Sequence, residues 1–191
     1  MSKIAIVYHS GFGHTKVIAE AIAKGAAPVT DNVILIRVSA QGTIEESEWD
    51  VLHEADAIIF GAPTYMGSLS GPFKMFMDAT SKAWFNMAWK DKIAGGFTNS
   101  GAMSGDKLNC LIQLAIFAAQ QTMVWIGCDN PSPKHLEPHL PDPNGVNRMG
   151  SSLGLMAQSE NNAPENTPPA GDLLTAEHYG KRIALAVKRW K

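Results

Sequence analysis

The chain has 191 residues, 45% of them hydrophobic and 18% charged, with a formal charge of −2 at neutral pH. That length suits one domain, 1–191, large enough for a substantial core, and so even a balance leaves no clustered basic face for nucleic acid. Cys110 and Cys128 are too few for a disulfide framework and suit a reducing, cytoplasmic setting.

In chain order, Ile4, Ala5, Ile6, Val7 and Tyr8 form a near-continuous apolar run, as in a strand buried on both faces of a parallel sheet. This strand starts so early that no signal peptide precedes it, and no apolar run is long enough to span a bilayer, so no membrane insertion is expected. After a short polar loop, Ile18, Ala21, Ile22 and Gly25 recur at helical spacing. Residues 32–39 predict a second strand, nearer the sheet edge because it carries Arg37. Residues 45–54 predict a short acidic helix with Trp49 and Leu52 inward, and residues 57–60 a buried strand. Gly71 and Pro72 open a helix with Phe73, Phe76, Met77 and Thr80 on one face. A strand follows at 93–97, then a helix marked by Leu108, Leu111, Ile112, Ala115 and Ala119, in which Cys110 reads as core. Residues 123–126 predict the fifth strand and residues 175–190 the last helix. Strands alternating with helices imply a doubly wound α/β fold around a parallel sheet.

One stretch breaks this rhythm. Residues 128–172 hold eight of the eleven prolines and read as a loop insertion: a lid, an oligomer arm or plain surface loop. Within it His135 and His139 are separated by Pro138, which spoils a helical ligand pair, so they read as solvated loop and no metal site is expected.

The chemistry lies at the strand ends. Ser10, Gly11, Phe12, Gly13, His14 and Thr15 join a strand to a helix N-terminus, where free N–H groups and the helix dipole favour an anion. The dinucleotide fingerprint fails for want of a third glycine, since Lys16 follows Thr15, and the triphosphate loop's Gly-Lys-Ser/Thr is missing. A phosphate monoester remains. Two more strands end in similar loops: Gly61, Ala62, Pro63, Thr64, Tyr65, Met66 and Gly67, then Thr98, Asn99, Ser100, Gly101, Ala102, Met103, Ser104 and Gly105. Each alone is also an ordinary turn. Together, at the carboxyl ends of parallel strands, they would converge on one pocket and hold a flat heteroaromatic ring.

Ile6, Val7, Tyr8, Ser10, Gly13 and Thr15 match the flavodoxin signature for the phosphate of FMN. Gly61, Pro63, Thr64 and Gly67, then Ser70, Gly71, Phe76, Asp78, Thr80 and Trp84, then Phe97, Thr98, Ser100 and Gly101, resemble the WrbA-type NAD(P)H:quinone oxidoreductases of the flavodoxin superfamily. The resemblance spans residues 3 to about 127 and returns weakly at 177–182. It implies a three-layer sheet of five parallel strands in the order 2-1-3-4-5. It also implies FMN held by the first loop, by Thr64, Tyr65 and Met66, and by the run from Asn99 to Ser104. Phe12 would meet the nicotinamide and Trp84 the substrate, in a homodimer or homotetramer. This chain departs from the pattern at Tyr65, at Gln120 and Gln121, at 103–106, and in a shorter connection after the second strand.

The expected function is electron transfer from NADH or NADPH through FMN to a quinone-like acceptor. The flavin carries the chemistry, so no catalytic side chain is assigned. His14 and Tyr65 are the side chains able to donate a proton, although His14 more simply lends its amide to the phosphate and Tyr65 more simply packs on the ring. A flavodoxin-type electron carrier and a non-catalytic flavin-binding regulator are the alternatives; carriers are typically more acidic than −2.

Overall fold

A computed structural model describes residues 2–131 and 144–191. His135 and His139 lie outside the described residues. Strand β1 (Lys3–His9) is followed by α1 (His14–Ala26), β2 (Asn32–Val38), α2 (Glu46–Glu54), β3 (Ala57–Tyr65), β4 (Ser68–Leu69), α3 (Gly71–Ala79), α4 (Ser81–Phe85), β5 (Ile93–Ser100), α5 (Lys107–Gln120), β6 (Val124–Trp125), β7 (Leu155–Gln158) and α6 (Ala170–Trp190).

The sheet runs β2-β1-β3-β5-β6, so the predicted order of five parallel strands holds. Alternation along β1 supplies both sides of it. Ala5 and Val7 join Phe60, Phe73, Phe76, Trp89 and Leu114 in one core, whereas Ile4, Ile6 and Tyr8 join Ile18, Ile22, Tyr179 and Ile183 in the other. Helices cover both cores, which is why the central strands read as unbroken apolar runs. On the second side α1 and α6 cross with almost no gap: a Cβ on Gly25 would lie 1.8 Å from Glu177 O, and one on Gly180 1.9 Å from Ile22 O.

Three expectations are corrected. First, β3 runs on through Gly61 to Tyr65 and turns back as β4, with Thr64 opposite Leu69 and Tyr65 opposite Ser68. The two residues at the tip, Met66 (φ 47°) and Gly67 (φ 77°), take the left-handed pair that suits a two-residue hairpin. Second, the fifth strand position is shared. β6 pairs with Ile93 and Ala94, the chain leaves at Gly127, and β7 returns to pair with residues 97–100 of the same β5. Cys128 N donates to Ser152 O (2.9 Å) and Trp125 Nε1 to Leu153 O (2.7 Å), closing the neck of the excursion. Third, the stretch expected to be loop contains β7 and the first turns of α6, which begins at Ala170 rather than Thr175. The five-residue α4 was not expected either. Among the described residues, no helix is long and apolar enough to cross a membrane.

Candidate functional site

The carboxyl ends of β1, β3, β5 and β7 meet around a cleft of about 490 Å³. Its walls include Gly11, Phe12, His14 and Thr15, then Pro63, Thr64 and Tyr65, then Asn99, Ser100 and Gly101. The three sequence-predicted loops therefore do converge.

Ser10 is buried behind the first loop, where its Oγ accepts the N–H groups of Gly13 and Lys16 (both 3.2 Å) and so closes the turn on itself. No group among the described residues accepts its own hydroxyl proton. Gly13, at φ 95°, precedes the helix, and the amides of Gly11, Phe12, His14 and Thr15 have no partner among the described residues. Opening a 13-residue helix, these donors carry the positive end of its dipole. Arg37 Nη2 donates to Ser10 O (3.0 Å) and adds positive charge behind the loop.

The loops are locked together. Thr15 Oγ1 donates to Asn99 Oδ1 (2.7 Å), tying the first turn of α1 to the end of β5. Thr98 Oγ1 donates to Ala62 O (2.7 Å) and lies 2.8 Å from Thr64 Oγ1, tying the second loop to the third. Phe12 and Tyr65 meet edge to face, 6.5 Å between centroids, at the mouth of the cleft. Burial pushes the Tyr65 hydroxyl above its ordinary pKa, so it stays protonated at neutral pH.

Not every expected residue lines the cleft. Met66 and Gly67 form the exposed hairpin tip, and Ala102, Met103 and Ser104 lie outside the third wall. Trp84 does not reach the cleft. It borders a separate hollow of about 310 Å³ with Lys74, Asp78, Gln120 and Gln121, because α4 and the C-terminal end of α5 share that place.

A fourth segment had no signature in the sequence. Residues 159–164, emerging from β7, complete the cleft. Asn99 Nδ2 donates to Ser159 Oγ (3.2 Å), and His14 Nε2 donates to Asn162 O (2.8 Å). That bond uses the His14 side chain on the fourth segment, while a Cβ on Gly13 would meet Pro164 Cγ at 2.9 Å. Only the length of the insertion hinted that chain might return here. Among the described residues no cluster of His, Cys, Asp or Glu can hold a metal.

Unpartnered amides at a helix start, an aromatic pair and a volume of this size fit a phosphorylated heteroaromatic ring such as FMN. A WrbA-like flavodoxin from Agrobacterium tumefaciens, solved by crystallography, superposes with a TM-score of 0.80 at 40% identity, over the whole of both chains. The chain is 41% identical to flavodoxin FldP of Pseudomonas aeruginosa over 96% of each protein. The chain belongs to the WrbA-like flavodoxin family. A second relative, an NAD(P)H dehydrogenase (quinone) of Geotalea uraniireducens, is 29% identical over 98% of both chains. The family profile of NADPH-dependent FMN reductases matches residues 49–129. Those residues carry the second and third loops of the WrbA-like cleft, while the phosphate-type loop at Ser10 lies before them.

Proposed function

We propose that this chain passes electrons from NADH or NADPH to a quinone-like acceptor through FMN seated in the cleft. The observation that carries the reading is the set of four unpartnered amides at the start of α1, beside a ring-sized space walled by two other strand ends. Gly11, Phe12, Gly13, His14 and Thr15, backed by Ser10, hold the phosphate. Pro63, Thr64 and Tyr65 hold one side of the ring, and Asn99, Ser100 and Gly101 hold the other; Met66 and Gly67 at the hairpin tip, and Ala102, Met103 and Ser104 beyond the third wall, meet the edge of the ring from outside the cleft walls. FMN, once bound, supplies hydride acceptance and electron relay. The chain's own residues orient the ring and leave one approach open: Phe12 is 76% exposed and presents an aromatic face to nicotinamide or quinone. No side-chain acid, base or nucleophile is required. Trp84, on its separate hollow, takes no part in this cleft.

The relative named as a quinone dehydrogenase supports this acceptor class. The relative named as a flavodoxin favours a second reading, an electron carrier, against which the charge of −2 gives little steering toward a basic partner. Residues 1–191 act as one domain in a cytoplasmic setting. Exposed Leu108, Ile112 and Ile116, four apart on α5, offer a face for a homodimer or homotetramer.

The visible spectrum of the purified protein provides the test. NADPH or NADH should bleach a yellow chain, and benzoquinone should restore its colour. A flavin that stays oxidised under both nicotinamides overturns the reductase reading and leaves the carrier.

A further inference from the structure

Lys107 is the first residue of α5 and is completely buried, although no carboxylate among the described residues bonds it directly. Burying a charge is costly unless its donors are satisfied, and here all three are. Nζ donates to Ser100 Oγ (2.9 Å), Ala102 O (2.7 Å) and Met103 O (2.9 Å). The left-handed backbone of Gly105 and Asp106 turns the chain so that the ammonium sits underneath the third loop. Beside it, Gln158 Nε2 donates to Gly101 O (3.0 Å), and Gln158 is itself held by Arg148 Nη2 through Oε1 (3.2 Å).

Three consecutive carbonyls, of Gly101, Ala102 and Met103, are thus drawn toward the protein. In a trans peptide each carbonyl points opposite to the following N–H. The amides of Met103 and Ser104 therefore face away from the ammonium and that of Ala102 away from Gln158, and none has a partner among the described residues. Successive N–H groups aimed one way make a concavity for negative or carbonyl oxygen atoms. Gly101, where the row begins, is part of the cleft wall.

We propose that Lys107 is a positioning residue for the flavin: by clamping the Ala102 and Met103 carbonyls it presents the amides of Met103 and Ser104 to the pyrimidine edge of the ring, while Gln158, holding Gly101 O, does the same for the Ala102 amide. This rests on the reading that the cleft takes FMN. The ring edge offers carbonyl oxygens and the loop offers donors. The ammonium behind the loop also favours added electrons in the ring, so it raises the midpoint potential.

The clamp is sensitive to pH. Burial pushes the Lys107 pKa down to about 8; Asp172 on α6 and the Cys110 thiol one turn along α5 oppose that shift, while Arg148 adds to it. The protonated form makes the clamp, so flavin affinity falls as pH rises through this value. The FMN phosphate is fully ionised well below it.

The test is flavin titration of the full chain between pH 7 and 9, using FMN and riboflavin separately, with Lys107→Met as the neutral variant. In the wild-type chain both flavins should bind more weakly above pH 8, since riboflavin lacks the phosphate and shares the ring. Lys107→Met should bind FMN about tenfold more weakly at pH 7, show no such step, and have a lower midpoint potential. A variant with wild-type affinity, a step that survives in the variant, or a flat wild-type profile overturns the proposal. If circular dichroism shows Lys107→Met unfolded, Gln158→Leu decides. It frees Gly101 O with the ammonium still on Ala102 O and Met103 O, so a step retained near pH 8 supports the clamp and a lost step overturns it. A wild-type chain that takes up neither flavin overturns the FMN reading itself, and the clamp with it.

Discussion

His9 ends β1 with its Nδ1 2.9 Å from Ser70 Oγ, both side chains buried. Burial holds its pKa below the ordinary histidine value, and the Arg37 charge lowers it further. An unfolded chain takes up a proton near pH 6.5 while the folded one resists, so just below that pH the unfolded state binds more protons. Stability should therefore fall as pH drops from 7 to 5. His9→Asn, which can still meet Ser70, should flatten that fall; equal changes in urea midpoint for both proteins would contradict this. At this scale the sequence was informative about which residues meet and poor on their bonds. Ser10, Thr15 and Asn99 converge because strand tips of a parallel sheet share one pole. That Thr15 bonds Asn99, while Ser10 turns inward on Gly13 and Lys16, depends on distances of tenths of an ångström that no spacing encodes.

At the α1–α6 crossing the two backbones meet with no room for a side chain at Gly25 or Gly180. Alanine at residue 25 would gain about 1 kcal/mol in helix propensity and lose about 1–3 kcal/mol to overpacking. The added carbon would meet the Glu177 backbone, which cannot swing aside, so the loss should dominate. Gly25→Ala is expected to unfold at lower urea than the wild type. Gly71→Ala, with open space around its Cβ, serves as the control; equal midpoints would show that the helices part freely. Long, strongly patterned elements such as β1, β3 and α1 were legible because their period and their burial agree. β4 was not, because a two-residue strand has no pattern of its own and forms only because the Met66-Gly67 turn folds the chain back. β7 hid in a run rich in proline, asparagine and glycine, and it gains its partner only after an excursion that local periodicity does not register.

For the molecule as a whole, a buried ion pair fastens the insertion. Arg148 Nε and Nη2 donate to the two oxygens of Asp172 at 2.7 and 3.0 Å, with the side chains 4% and 1% exposed. Asp172 also accepts Gln158 N (2.8 Å), so the pair joins the insertion, β7 and the start of α6. Arg148→Met leaves a buried carboxylate without its cation and should cost about 3–5 kcal/mol in denaturant unfolding. Arg148→Met with Asp172→Leu should cost less than the single change, and a larger loss in the double variant would refute this account. The neck at Gly127 and Gly154 also makes the segment between them a cassette, since the edge strand departs and resumes at one level beside β5. Splicing Ile126 directly to Gly154 would let that strand read straight through, because Val124 and Trp125 stand beside Ile93 and Ala94, Leu155 stands beside Phe97, and the one glycine fills the place beside Gly96. The excised protein would nonetheless strand Asp172 without its counterion, so a minimal version of this scaffold has to retire the acid along with the loop.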